Sequence, residues 1–496
     1  MKIKNTISVA ALAAFLLSGP VPTLLSAQNT VTKENVKQLV SALDAGVFAD
    51  CSFGVEAEFL DGVPIVSHNA ARRLNPASNM KVVTTAAALR VLGRDFRWYT
   101  TVAHDGSVDS GGVLHGNLYI IGGGDPTLGA ENPPRKAQEM ASEAFDAIVT
   151  ALRDAGISGI DGCIAGDGSW IEGMREDRTW SFEDLGTYYG TCVSGLNFYE
   201  NRKDFEVTPG VVPGDSLTIT PDYPPSPWMR WRHECSTGKP GTGDNLYLYT
   251  PAEKAVGTLR GTYAAGRKPK TVHCRNNYPE YTFATQLLDH MLSGGIRVSG
   301  VLQVGCQGPL EEDAAAGVIP CVPDSVTVLY RHPSLPLSDV VYKTNRESDN
   351  FYAEILFRTL GRTLEGSTAP EASARALEKA VSGNLHCPCG AVTLHDGSGL
   401  SIRDRLTPAF ICSVLRSAAN GPDADVFRRS LVKYGGRCTL KTGTFTGCRC
   451  LSGYIAPSSP DKKTIVFSIM VNNSPLQYYQ TDKYEKQIIN ALAALN

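Results

Sequence analysis

Ser78-Asn79-Met80-Lys81-Val82-Val83-Thr84-Thr85-Ala86-Ala87-Ala88-Leu89-Arg90-Val91-Leu92-Gly93 decides how this chain folds. The run is apolar and Ala-rich, begins just after Asn75-Pro76 has stopped a strand pattern, and ends on Gly93 in the manner of a helix C-cap. A helix here puts Ser78 at its start and Lys81 three residues on, on the same face. A hydroxyl then stands beside an amine able to take its proton. Alone, the pair reads equally well as an N-cap serine followed by a solvated lysine, so the rest of the chain has to decide.

On the N-terminal side, Cys51 to Phe59 has β-type composition, Asp61-Gly62 is a turn signal and Val63 to Ser67 is a second apolar run, which predicts a β-hairpin. On the other side, residues 98–328 change texture. They are Gly- and Pro-rich, with short β-like runs such as Gly116 to Ile121 and Gly159 to Ile164 and one helical stretch near Arg135 to Ala155. Pro224-Pro225 and Pro227, followed by Trp228 and Trp231, mark an irregular loop whose aromatics serve local packing. Leu337 to Asn345 and Asn350 to Leu360 then predict two helices joined by a short turn. Arg437 to Gly443, Cys450 to Ile455 and Lys463 to Val471 predict three consecutive strands. Thr481 to Leu495 closes the chain as a helix with Tyr484, Ile488, Leu492 and Leu495 on one stripe, a core-facing stripe because its polar side is not notably basic.

The 496 residues are 42% apolar and 20% charged, which excludes wholesale disorder. A formal net charge of -3 leaves no basic field to hold nucleic acid. Lys2 and Lys4, the apolar run Ile7 to Leu17 and Leu25-Ser26-Ala27 read as a secretory signal over residues 1–27. No later segment approaches the roughly 20 apolar residues of a spanning helix, and Gln28 offers no lipid attachment, so at most peripheral membrane contact is expected. All 13 cysteines lie beyond that cut, where export permits oxidation, and their odd number leaves at least one unpaired within the chain. Cys387-Pro388-Cys389 and Cys448-Arg449-Cys450 are C-x-C, not zinc-knuckle spacing, so no metal is expected. Cys438 and Cys450 stand six residues either side of Thr444. With a turn over Thr444 to Gly447 they would face each other across a hairpin or miss by a register step, as a disulfide or as buried thiols.

Two further motifs give Ser78 and Lys81 a context. Ser348-Asp349-Asn350, between two predicted helices, supplies a second hydroxyl and an amide that both donates and accepts. Lys441-Thr442-Gly443-Thr444 lies on a predicted strand, where alternation sends Lys441 and Gly443 to one side and the threonines to the other, and a small Gly443 lets another backbone lie close. S-x-x-K, S-D-N and K-T-G in this order are the motif set of penicillin-binding proteins and serine β-lactamases. The 270 residues between the first two motifs and the 93 from Ser348 to Lys441 resemble the S13 family of D-alanyl-D-alanine carboxypeptidases, the penicillin-binding protein 4 type. Gly122 to Leu128, Val193 to Phe198 and Asp396 to Ser401 also resemble text of that family, and the likeness covers nearly the whole chain after residue 27. Gly122 to Gly124 is a tight turn and no phosphate cradle. His395, Asp396 and Ser398 are too close in sequence to converge as a triad, and form a turn bordering the cleft.

The resemblance implies an α+β fold: a serine β-lactamase/transpeptidase-like domain, an antiparallel sheet flanked by helices, with β-rich domains inserted after the first motif. Residues 28–97 and 329–496 would form the catalytic domain, with the last three strands and C-terminal helix against the N-terminal hairpin, and residues 98–328 the insertion. The implied activity is a penicillin-sensitive serine D-alanyl-D-alanine carboxypeptidase, exported to the periplasm, that trims terminal D-Ala from peptidoglycan stem peptides without a cofactor. β-Lactams would acylate it as inhibitors. Ser78 would be the nucleophile, Lys81 its base and Ser348 the proton relay. Asn350, Lys441, Thr442, Gly443 and Thr444 would bind substrate, and the backbone N–H groups of Ser78 and Thr444 would form the oxyanion hole. A lysine of reference pKa about 10.4 must be neutral to act as base, which burial and the charge of Lys441 would favour for Lys81. Cleavage of cross-links by the same acyl chemistry is the nearest alternative. A serine β-lactamase lacks an identifiable deacylating Glu here, and a non-catalytic peptidoglycan-binding protein would not need the nucleophile.

Overall fold

Seven consecutive residues, Ile465 to Val471, are apolar except Ser468, and a strand of that composition needs cover on both faces. A computed structural model of the chain describes residues 31–190, 192–251, 255–299, 304–306, 322–390 and 392–496. There that strand is β6 (Ile465–Asn472) of a six-stranded antiparallel sheet in the order β3-β4-β5-β6-β1-β2. The others are β1 (Ser52–Phe59), β2 (Pro64–His68), β3 (Val432–Lys433), β4 (Cys438–Phe445) and β5 (Cys448–Ile455). The expected hairpin and the last three strands therefore share one sheet, joined where β1 pairs with β6.

Alternation divides the core. Ile465, Phe467, Ile469 and Val471 lie on one face with Phe53, Val55, Leu440 and Leu451. Helices α1 (Lys33–Ala45) and α5 (Tyr478–Ala494) cover that face, Val36 and Val40 from one and Ile488 and Leu492 from the other being fully buried. The C-terminal stripe is thus core. The opposite face carries α4 (Pro408–Ala419) against β1 and β6, where Cys412 Sγ donates to the Glu56 carbonyl at 3.5 Å. On that side Ala77–Asn79, a single 3-10 turn, leads into α2 (Met80–Leu92), which stops at Gly93 with φ 80°. This is the α+β, transpeptidase-like arrangement.

The chain forms two compact units. One takes residues up to Val91, Val341–Ser348 and Leu377–Asn496 and contains the six-stranded sheet. The other takes Leu92–Val340 and Asp349–Ala376. It holds four smaller sheets of three to five strands: the four- and five-stranded ones share a core with the helices Ala137–Asp154 and Pro279–Ser293, and the two three-stranded ones pack on a separate core of Phe205, Val207, Leu259 and Val272. Trp231 there packs edge-on to Phe205 and Trp228 to Tyr281, at 4.6 and 4.4 Å between ring centroids, which is the local packing expected of them. Gly124, at φ 90°, donates to the Gly195 carbonyl at 2.7 Å, so the Gly122 to Gly124 segment is a turn clasped to the Val193 to Phe198 segment.

The signal over residues 1–27 and Cys321 lie outside the described residues, and the eleven cysteines whose side chains are described are free thiols. The Cys438–Cys450 pairing is excluded by register. The β4–β5 turn is only Thr446-Gly447, with Gly447 at φ 68°, so Cys438 stands opposite Ile455 and Cys450 opposite Gly443. Cys438 packs with Leu440 toward α1 and α5, while Cys450 faces the other way and its Sγ donates to the Asn75 carbonyl at 3.5 Å. Among the described residues no helix is long and apolar enough to cross a membrane.

Ile469, fully buried between Leu451 and Val55, tests the weight of this core. Ile469→Ala is expected to destabilise the sheet by about 2 to 5 kcal/mol, the usual range for a large-to-Ala change in a packed core, and a lowered urea midpoint for the unit's unfolding transition checks it.

Candidate active site

Ser78 sits in a turn held from three directions. Ala77 before it has φ 45°, a left-handed conformation costly for a residue with a Cβ, and its N–H donates to Asn75 Oδ1 at 2.8 Å. Asn79 after it is fully buried and donates from Nδ2 to the Cys450 carbonyl at 3.1 Å, tying the turn to β5. Strand β4 presses against the turn at Gly443, where a Cβ would stand 2.8 Å from both the Pro76 carbonyl oxygen and Asn79 Nδ2. Only glycine allows that approach.

The first turn of α2 brings Lys81 Nζ to 3.1 Å from Ser78 Oγ, and Nζ also donates to the Ser398 carbonyl at 2.8 Å. Lys81 is fully buried. Its partner Ser398 belongs to the turn after His395. There the Asp396 carboxylate accepts from the N–H groups of Gly399 and Ser401, each at 2.7 Å, and from Ser398 Oγ at 3.2 Å. Thr84 Oγ1 donates to the Gly397 carbonyl at 2.7 Å, clamping this turn to α2. Asp396 and Ser398 therefore build a backbone cradle for Lys81 and no triad. Resemblance alone marked this segment; nothing local in the sequence distinguishes a carbonyl that will meet a lysine.

A second lysine completes the group. Lys441, 1% exposed on β4, donates to Ser348 Oγ and to the Thr442 carbonyl, both at 2.8 Å. Ser348 follows α3 (Leu337–Arg346) and takes a left-handed φ of 60°. Asn345 near the end of that helix donates to Thr85 Oγ1 at 3.0 Å and Ser430 Oγ at 2.8 Å, which fixes where Ser348 emerges. Burial pushes the Lys441 ammonium well below its ordinary pKa, and the positive charges of Lys81 and Arg449 add to the effect.

Ser78, Lys81, Ser348 and Lys441 accordingly converge in the first unit. Asp349 is the N-cap of the helix Asn350–Glu365, accepting from Tyr352 N at 3.0 Å, and Asn350 donates to the Tyr189 carbonyl at 2.8 Å, all within the second unit. On β4, Thr442 and Thr444 face away from Gly443's side, as alternation requires. Strand β3 pairs only with Thr439 and Leu440, so among the described residues no strand pairs with the outer edge of Lys441 to Thr444. The chemistry this permits is nucleophilic attack by a hydroxyl beside an amine base on a substrate laid along a free strand edge. Among the described residues no cluster of His, Cys, Asp and Glu is arranged to hold a metal ion.

Residues 35–439 match the D-Ala-D-Ala carboxypeptidase 3 (S13) family, ending just short of Lys441. The chain is 27% identical over 491 residues to the D-alanyl-D-alanine carboxypeptidase of Actinomadura sp. (strain R39), an alignment spanning 92% of this chain and 84% of that one. It is 25% identical over 480 residues to the penicillin-sensitive carboxypeptidase A of Dictyostelium discoideum, covering 87% and 84%. Its fold is similar to that of penicillin binding protein 4 from Haemophilus influenzae, with a TM-score of 0.74 over 92% of this chain and 99% of that one at 21% identity.

Gly443→Ala tests the approach of β4 to the Ser78 turn. The added methyl must displace the strand or the turn, and a misplacement near 1 Å is expected to slow covalent labelling by a labelled penicillin about 100-fold while the protein stays folded. Wild-type labelling rates would show that the contact is slack.

Proposed function

This chain belongs to the D-Ala-D-Ala carboxypeptidase 3 (S13) family, and from that membership we propose how its residues carry the reaction. It is a serine peptidase that removes the terminal D-Ala from peptides ending in D-Ala-D-Ala. The observation that carries the residue assignment is the buried Lys81 Nζ, 3.1 Å from Ser78 Oγ.

In this reading Lys81, in the state where it is neutral, takes the proton of Ser78 Oγ as that oxygen attacks the carbonyl of the penultimate D-Ala. The oxyanion forms against the backbone N–H groups of Ser78 and Thr444, a contribution of about 3 to 4 kcal/mol per donor in comparable sites. Ser348, already hydrogen-bonded to Lys441, passes a proton to the leaving amine. D-Ala departs and water cleaves the acyl-enzyme. Asn350 bonds the substrate amide. Lys441, Thr442 and Thr444, along the free edge of β4, hold the terminal carboxylate, whose negative charge would favour the Lys441 ammonium that burial and two neighbouring cations oppose. The two lysines repel each other's protons, so the site favours one neutral amine, which is what a base requires.

The substrate would be the stem peptide of peptidoglycan, met after export of the chain into the periplasm. β-Lactams would acylate Ser78. The Dictyostelium relative is called penicillin-sensitive, and the Haemophilus protein also has a structure complexed with a β-lactam. Cross-link cleavage is a second reading, since it needs the same acyl donor and only a different leaving amine. Digestion of purified muropeptides separates the two by whether monomers lose D-Ala or dimers fall apart.

Ser78→Ala is expected to abolish both release of D-Ala and covalent labelling by penicillin, at a stability cost of no more than about 2 kcal/mol if the hydroxyl also caps the turn. Intact-mass spectrometry reads the adduct, and an adduct on the variant would remove Ser78 from its role. Lys441→Ala is expected to weaken hydrolysis of a D-Ala-D-Ala peptide far more than that of its carboxamide. Equal losses on the two substrates would leave Lys441 acting on Lys81 alone.

A further inference from the structure

One buried ionic group lies outside the machinery just described. Arg449, on β5 directly opposite Thr444, is 10% exposed in its side chain and sits among acids of α5. Its Nη2 donates to Asp482 Oδ1 at 2.8 Å and its Nε lies 3.5 Å from Glu485 Oε2. Asp482 is further held by Lys486 at 2.8 Å and by the Tyr434 hydroxyl. The remaining arm of the guanidinium, Nη1, donates to Thr444 Oγ1 at 2.8 Å. Burial alone would favour deprotonating Arg449, but Glu485 and Asp482 outweigh it and hold the guanidinium charged. Glu485 is fully buried and pushed up to about 8, burial outweighing the attraction of Arg449.

A threonine hydroxyl offers one donor and two acceptor sites, and its proton turns to suit its partners. With a cationic N–H on one lone pair, the Thr444 proton cannot point back at Arg449 and is free to point outward, because Thr444 itself is exposed. We propose that Arg449 is a positioning residue for the substrate's terminal carboxylate: held by Asp482 with Glu485 beside it, it occupies a lone pair of Thr444 Oγ1 and commits that hydroxyl to donate along the edge of β4. This rests on the reading that Lys441 to Thr444 receive the carboxylate of D-Ala-D-Ala. The contact follows from the hairpin register, because the two-residue turn at Thr446-Gly447 is what sets Arg449 opposite Thr444. A purely structural role, tying α5 to the sheet, makes a different prediction for kinetics.

The test compares an acylated L-Lys-D-Ala-D-Ala peptide with its C-terminal carboxamide. Arg449→Gln combined with Glu485→Gln avoids leaving the buried Glu485 carboxyl without its neighbouring cation, and Arg449→Lys keeps the charge while losing the fork. For the double variant KM for the carboxylate peptide is expected to rise about tenfold, the scale of one charge-assisted hydrogen bond, with kcat within about twofold. The carboxamide should be unaffected. Thr444→Val should give the same rise, and adding it to the double variant should give little more, because both changes remove one interaction. Arg449→Lys should recover part of the loss, and carries the test if the double variant does not fold. Equal losses on carboxylate and carboxamide, or losses that multiply when combined with Thr444→Val, would overturn the positioning role while D-Ala release by the wild type left the activity standing. A wild-type protein that releases no D-Ala would overturn the activity and this proposal with it.

Discussion

Two lysines buried together, Lys81 and Lys441, constrain everything around the site. Removing an ammonium from water costs several kcal/mol unless fixed dipoles replace its hydration. Here the dipoles are the Ser398 carbonyl and Ser78 hydroxyl for Lys81, and the Thr442 carbonyl and Ser348 hydroxyl for Lys441. These partners come from four separate stretches of chain. Each must be rigid, because an acceptor that drifts would leave a buried cation without its hydration or its substitute. That requirement accounts for the sheet buried on both faces and for the Asp396 turn, whose carboxylate satisfies three donors to hold one carbonyl in place.

Backbone strain sits at the same places. Ala77 and Ser348 both adopt left-handed φ values, of 45° and 60°, at or beside the Ser78 and Ser348 hydroxyls. Gly399, at φ 79°, faces the Ala77 carbonyl so closely that a Cβ would come within 2.0 Å of it. Strain of this kind persists only where the surroundings over-determine it. The surroundings here are the Asn75 and Asn79 side chains, which hold the Ser78 turn from both ends.

Much of this was legible in the sequence, for identifiable reasons. The run from Ser78 to Gly93, the Asp61-Gly62 hairpin and the last three strands have periodicity, β-composition and punctuation that point the same way, and they fold as read. Ser78, Lys81, Ser348 and Lys441 were visible because their spacing forms a motif set. The register of the β4–β5 hairpin was not. A turn two residues long and one four residues long are both compatible with Thr-Phe-Thr-Gly, and the choice moves every cross-strand partner. The sequence leaves Cys438 and Cys450 either facing each other or out of register; the two-residue turn puts Ile455 and Gly443 opposite them, and it also brings Arg449 opposite Thr444. The Ser398 carbonyl escaped because a backbone acceptor has no residue type to announce it.

The pleat of β4 explains how one short motif serves several tasks. Lys441 and Gly443 point toward the Ser78 turn, one to reach Ser348 and the other to let the turn approach. Thr442 and Thr444 project from the other side, and Thr444 meets Arg449 there. The charge of Arg449 is nevertheless felt by Lys441 through the thickness of the sheet, where it adds to burial and to Lys81 in opposing that ammonium. The two faces are therefore coupled by field, not by contact. A carboxylate arriving at the free edge of β4 would relieve the repulsion on both sides of the strand at once, so the same negative charge that identifies a terminal D-Ala would also settle the protonation of the lysine pair beside Ser78.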